Sequence, residues 1–213
     1  MDRRFIVILL VLIVVFFGFI FFNKFKSSNT TSSSSQGSQN YYGNMQSSVT
    51  LTEFVDFQCE ACYAYYPVVK EVKEKYKDQV KFQVRHFPIT SSHQFAMQAA
   101  RNAEAAARQG KFWEMHDKIF EGQKMWEQTK EPQASFDQYA EVIGLDMTRF
   151  KADLSNSEVA ANINKDVQDV TELGGSGTPT FVLNGKKIEN PRGGIEEFSK
   201  VIDEALAQAG QQQ

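Results

Sequence analysis

The stretch that most constrains this chain is Phe54-Val55-Asp56-Phe57-Gln58-Cys59-Glu60-Ala61-Cys62. An apolar, β-prone run stops at two cysteines separated by two residues, and a helical pattern begins at once. In a strand–turn–helix of this kind Cys59 sits at the first helical turn. There the unpaired N–H groups and the positive end of the helix dipole favour a thiolate. Cys62, one turn on, can close a small ring back onto Cys59, the layout of a reversible dithiol–disulfide couple. These are the only cysteines among 213 residues, so no disulfide framework competes for them.

Two plainer readings compete. Zinc needs four ligands, there is no second Cys-x-x-Cys, and His86, His93 and His116 show no paired ligand spacing. A purely structural disulfide over so short a loop has little chain entropy to remove.

Phe5 to Phe22 is an unbroken apolar run of 18 residues, flanked by Arg3 and Arg4 before it and Lys24 and Lys26 after. That length approaches a hydrocarbon core, exceeds a usual signal-peptide core and carries no small-x-small cleavage site at its end. It predicts a signal anchor over 1–26, with cleavage in the following serine tract as the alternative. The short basic N-terminus stays inside, which places the rest on the extracytoplasmic side. Residues 27–48, rich in Ser, Thr, Asn, Gln and Gly, read as a flexible tether. Beyond Lys26 there are 19 basic against 25 acidic residues, net −6, which argues against nucleic-acid binding.

The folded domain is expected over 49–209, with a disordered tail at 210–213. Val49 to Phe57 reads as a strand with Leu51, Glu53, Val55 and Phe57 on one face. Glu53 on that apolar parity is either a solvated edge position or a buried proton acceptor beneath Cys62. A helix containing Pro67 and a second strand at 80–87 complete a βαβ unit with parallel strands. From about 91 to 173 the pattern is helical. Ser91 and Gln94 suggest a capping box before an alanine-rich helix stopped by Gly110. Further helices follow around Phe112–Gln123 and Phe136–Ile143. Phe150 and Leu154 fall in a short turn, and Ser157 caps a last helix reaching Leu173. His116 reads as a packed histidine, and the face of Met115, Met125 and Trp126 as either core or groove. Thr178-Pro179 then precedes a strand at 180–183, an Asn184-Gly185 type I′ turn, a short return strand and a closing amphipathic helix.

Taken together, Glu53, Cys59-Glu60-Ala61-Cys62, Thr178-Pro179-Thr180-Phe181, the Asn-Gly hairpin and the closing helix resemble the thioredoxin superfamily. The helical insertion between the βαβ and ββα halves resembles its DsbA-like branch of envelope thiol–disulfide oxidoreductases. The resemblance covers about Val49 to Ala209 and implies a thioredoxin-like α/β fold. By it, Cys59 is similar to the exposed nucleophile, Cys62 to the buried resolving cysteine, Glu53 to the buried acid and Pro179 to the cis-proline facing them. Thr178 presents backbone groups to a client strand, and Glu60 and Ala61 modulate the couple.

The expected enzyme is a monomeric, membrane-tethered oxidoreductase without a cofactor. It forms disulfides in exported proteins and is recharged by a membrane partner of the DsbB or VKOR-like kind. A reductase or isomerase running the cycle otherwise is the alternative, and a Cu(I) metallochaperone using the same thiolates a more distant one. Where the best-known DsbA proteins carry Pro-His between the cysteines, Glu60 brings a negative charge. The expected potential is therefore intermediate, between about −120 and −270 mV.

Overall fold

The computed structural model describes residues 35–211. The apolar run Phe5–Phe22, the first part of the tether and the last two residues lie outside them. Among the described residues no helix is long and apolar enough to cross a membrane.

The elements are β1 (Asn40–Gly43), β2 (Thr50–Val55), α1 (Glu60–Tyr76), β3 (Lys81–His86), α2 (Ala96–Ala107), α3 (Phe112–Glu121), α4 (Gln123–Trp126), α5 (Gln133–Val142), α6 (Met147–Asp153), α7 (Ser157–Glu172), β4 (Thr180–Leu183), β5 (Lys186–Lys187) and α8 (Ile195–Gly210). The sheet order is β1-β3-β2-β4-β5. β2 and β3 pair in parallel across the α1 crossover, while β1–β3, β2–β4 and β4–β5 are antiparallel. This is a thioredoxin-like mixed sheet, with six helices between its parallel and antiparallel halves.

β2 is central and covered on both faces, so its sequence carries no clean polar alternation. Leu51 packs with Val72, Phe82, Phe181, Phe198 and Ile202 against α1 and α8. Val55 and Phe57 join Ala103, Phe112, Phe120 and Trp126 from the inserted helices. On the opposite face Phe54 meets Val170 of α7. The alanines of α2 are buried along its length, which lets α3 and the neighbouring helices approach closely. Asn184 and Gly185, both at positive φ, form the expected hairpin turn between β4 and β5.

Four sequence expectations change. Residues 35–48 are not a tether: they lie on the domain and supply β1, an edge strand pairing Asn40–Gly43 with Lys81–Val84. Polar contacts hold this segment, so it has no apolar signature. Ser38 N donates to Asp166 (2.9 Å), Asn40 Nδ2 to Glu104 (2.6 Å), and Gln83 Nε2 to Ser38 O (2.9 Å). The capping box at Ser91 and Gln94 does not form. α2 starts at Ala96 with Phe95 at its N-cap and no side-chain cap. Phe150 lies in a helical turn rather than a loop, because Asp146 accepts from Arg149 N and starts α6. Asn156, one residue before Ser157, caps α7 by accepting from Glu158 N.

Candidate active site

Cys59 is the N-cap of α1, with extended backbone (φ −75°, ψ 125°) and no side-chain cap of its own. Its thiol is left free to meet the open N–H groups of the first turn. Both cysteines are free thiols, Cys59 partly exposed and Cys62 buried. The Cys59 pKa is lowered to about 5. The largest cause is a hydrogen bond from Cys62, followed after the opposing effect of burial by Thr178 and the backbone N–H groups of Cys62 and Ala61. Cys62 moves the other way. Burial raises its pKa well above the ordinary thiol range, and the charges of Cys59 and Glu53 add to this. The pair is thus split into an exposed thiolate and a buried thiol.

The turn is held from several sides. Asp56 is buried; its Oδ1 accepts from Gln58 N (2.8 Å), and its Oδ2 from Ile89 N (2.8 Å) and His93 Nδ1 (2.7 Å). Gln58 Oε1 in turn accepts from Phe95 N (2.7 Å), tying the turn to the start of α2. Gln123, fully buried on α4, donates from Nε2 to the carbonyls of Phe57 (2.8 Å) and Cys59 (3.2 Å). Lys124 Nζ reaches Glu60 at 3.1 Å.

Across the site the Thr178-Pro179 bond is cis, and the Cys59 thiol donates to Thr178 O at 3.4 Å. The buried Thr178 hydroxyl has no hydrogen-bond partner among the described residues. Asn190 Nδ2 donates to Pro179 O (2.8 Å), bracing this loop against the segment that leads into α8.

Glu53 is 6% exposed, so it is not a solvated edge position. It pairs in register with Val84 and Phe181, and burial raises its pKa to about 8 against the opposing charge of Lys73. Its charge is one of the lesser causes that raise the Cys62 pKa. His116 is buried with its pKa lowered to about 4 by burial, and packs edge-on against Phe57 and Phe120. It is a packed histidine. Met115 and Trp126 are core, whereas Met125 is 77% exposed.

The structure therefore gathers Cys59, Glu60, Ala61, Cys62, Thr178 and Pro179 beyond the end of β2, with Glu53 buried inside that strand. It adds Asp56, His93, Gln123 and Lys124, which sequence reasoning missed. Asp56 carried a signal, an aspartate just ahead of a helix N-terminus where its side chain can close a turn. The other three come from distant elements and carried none. Among the described residues no group of three or more His, Cys, Asp or Glu is placed to hold a metal ion.

The thioredoxin family model matches residues 35–204. The chain belongs to the thioredoxin family. The match begins at Ser35, where the structure shows the domain starting. Solved structures with the same fold include a thioredoxin-like oxidoreductase from Silicibacter pomeroyi, 26% identical, TM-score 0.67, covering 78% of this chain and 91% of that one. BdbD from Bacillus subtilis, in its oxidised form, is 23% identical with TM-score 0.70, covering 82% and 97%. The thiol–disulfide exchange protein α-DsbA2 from Wolbachia pipientis is 24% identical with TM-score 0.67, covering 78% and 86%. These solved structures share the thioredoxin-like fold of this chain.

The curated relatives are larger proteins. Na(+)/H(+) antiporter NhaA 3 of Salinispora tropica is 38% identical over 167 residues, which are 78% of this chain and 24% of the antiporter. Na(+)/H(+) antiporter NhaA 1 of Mycolicibacterium gilvum is 33% identical over 151 residues, 70% of this chain and 24% of that protein. The chain thus spans about a quarter of the length of the curated relatives it matches.

Proposed function

We propose that Cys59 and Cys62 form the redox couple of a membrane-anchored enzyme that donates disulfides to exported proteins. The observation that carries this reading is the split between the two thiols beside Thr178. A stabilised Cys59 thiolate stabilises the reduced enzyme, and that makes its disulfide oxidising. The same split favours a donor over a reductase.

A client thiolate attacks Sγ of Cys59 in the oxidised enzyme. The Cys59–Cys62 bond breaks, and the electron pair leaves on Cys62. Glu53, which holds its proton at neutral pH, donates it to that buried thiolate. A second client thiolate then attacks the client sulfur of the mixed disulfide and expels Cys59 as the thiolate it favours. The client gains one disulfide, and the enzyme holds the two electrons as a dithiol. Thr178, with its main chain facing Cys59, and Pro179 line the place where an extended client segment would pair. A membrane redox partner of the DsbB or VKOR-like kind would reoxidise the dithiol.

Support for the anchor comes from the Phe5–Phe22 run, whose length suits a single span; the simplest orientation keeps the short N-terminus inside and the catalytic domain on the extracytoplasmic side. The membrane setting is also in keeping with relatives that carry the domain as part of an ion antiporter.

The deciding experiment equilibrates the soluble domain with glutathione buffers and offers the oxidised form to a reduced, unfolded two-cysteine client. The expected result is a potential between about −120 and −270 mV, with client disulfides formed only while both cysteines are present. A potential below that of thioredoxin would overturn the donor assignment. Recovery of the full-length chain in the soluble rather than the membrane fraction would overturn the anchor.

A further inference from the structure

Besides the contacts of His93 and Phe95 ahead of α2, the helical insertion meets the cysteine turn through one short element, α4, which offers two side chains to it. Gln123 and Lys124 are neighbours in sequence, yet they approach the turn in different ways. Gln123 is buried and spans two main-chain carbonyls, those of Phe57 and Cys59. Only the amide NH₂ can donate to both, so the contact is specific to that group. Lys124 is about half exposed and pairs with the carboxylate of Glu60, the residue between the cysteines. The core fixes where α4 stands. Trp126 is fully buried, donates from Nε1 to Ile119 O (2.7 Å) and packs edge-on against Phe136. At Gly122 a Cβ would meet the Tyr139 hydroxyl at 1.9 Å, so Tyr139 closes directly over the start of the element.

We propose that Gln123 and Lys124 are positioning residues that set the redox poise of Cys59 from the helical insertion. Gln123 fixes the 57–58 and 59–60 peptide units, which keeps Cys59 Sγ within reach of the N–H groups of Ala61 and Cys62. Its donation also draws on the negative end of the Cys59 carbonyl, next to the thiolate. Lys124 offsets the charge of Glu60. This corrects the expectation drawn from Glu60 alone: the turn presents a paired carboxylate to the thiolate rather than a free one. Two residues on a separate subdomain thereby decide how far the Cys-Glu-Ala-Cys sequence acts as an oxidant. The inference rests on Cys59 being the reacting thiol.

Two readouts test it on the soluble domain: the pH midpoint of Cys59 alkylation and the equilibrium constant with glutathione. Glu60→Gln, Lys124→Gln and the double variant form a thermodynamic cycle. Lys124→Gln is expected to shift the equilibrium about three- to tenfold toward the oxidised enzyme, Glu60→Gln a similar factor the other way. The double variant should return to within about twofold of the wild type. No shift in either single variant, or single shifts of the same sign, would overturn the role of Lys124. Gln123→Leu is expected to raise the alkylation midpoint by about one unit, and Gln123→Glu, which cannot donate, at least as much. An unchanged midpoint and potential in a folded Gln123 variant, even with a lowered Tm, would reduce that residue to a structural role. Should the Gln123 variants not fold, the exposed Lys124 cycle decides the proposal alone. Failure of the underlying reading looks different: Cys59→Ser would still exchange with glutathione, and no Cys59 midpoint would appear.

Discussion

Glu53 of β2 and Lys73 of α1 line one buried cavity of about 10 Å³, which His116 also borders. Burial drives both side chains toward neutrality, raising Glu53 to about 8 and lowering Lys73 to about 8. Lys73 keeps compensation for its charge in the faces of Trp113, 3.7 Å from its Nζ to the ring centroid, and Tyr42 at 5.1 Å. The cavity is at the lower limit for a single water. A protonated Glu53 so placed is suited to supplying the buried Cys62 thiolate, and the arrangement costs stability.

That cost has a definite pH dependence. Glu53 titrates near 4.5 unfolded and near 8 folded, so its contribution is fully present below pH 4.5 and is lost as pH rises through 8. Lys73 opposes the trend only above about pH 8. In the oxidised protein, where neither cysteine titrates, urea denaturation should show stability falling between pH 5 and 8. Glu53→Gln should flatten that fall, stabilise the protein at pH 8 by on the order of 2 kcal/mol, and slow turnover at least about tenfold. A parallel pH profile in the variant would remove Glu53 from both roles.

Cys59 gives the opposite sign. Its folded pKa is depressed, so its stabilisation of the reduced protein is present above the unfolded thiol pKa and disappears as pH falls through about 5. Between pH 6 and 8 reduction then takes up one proton, on Cys62, for two electrons. The potential should fall by about 30 mV per pH unit in that window and about twice as steeply below pH 5. Limiting alkylating agent should label Cys59 first, with a midpoint near 5, and Cys62→Ser should trap mixed disulfides with clients. Two-proton behaviour at pH 7, or first labelling at Cys62, would contradict the assignment.

Thr178 acts on the same thiolate from across the site. Its hydroxyl is buried, has no hydrogen-bond partner among the described residues and favours the charged form of Cys59. Thr178→Val keeps the shape and removes the donor. The alkylation midpoint should rise by about half a unit to one unit, with the fold unchanged by circular dichroism. A midpoint that stays put would assign Thr178 to client pairing through its main chain only.

What could be read from the sequence follows the range of the interactions. The Cys-x-x-Cys turn, the β2–α1–β3 crossover and the Asn184-Gly185 hairpin are specified by neighbouring residues, and the structure shows all three in place. Glu53 stood out because a carboxylate broke an apolar parity. Lys124 could not be foreseen, since it meets Glu60 from 64 positions away and lies on a four-residue helix without a periodic pattern. β1 was illegible for a different reason: its strand is short, at a sheet edge, and held by buried polar groups instead of an apolar face. A serine-rich stretch whose buried partners include Asp166 and Glu104 looks like a linker until both ends of the contact are known.

Asp166 makes the test of that last contact. It is fully buried on α7 and accepts from Ser38 N and His86 N at 2.9 Å each, while Arg85 pairs with it at 2.6 Å and with Asp169 at 2.7 Å. One carboxylate thus joins the N-terminal segment, β3 and α7. Removing Asp166 leaves Arg85 paired with Asp169 but strands the N–H groups of Ser38 and His86, each at about 1–3 kcal/mol. Asp166→Ala should lose roughly the two together in urea denaturation. The loss should be local before it is global, because Asn40–Gly43 pair with a neighbour on one side only. Hydrogen exchange should then show the amides of β1 opening ahead of those of β2, with the alkylation midpoint of Cys59 unmoved. Full protection of β1 in the variant would mean that pairing with β3 alone holds the segment, and that Asp166 serves Arg85 rather than the N-terminal strand.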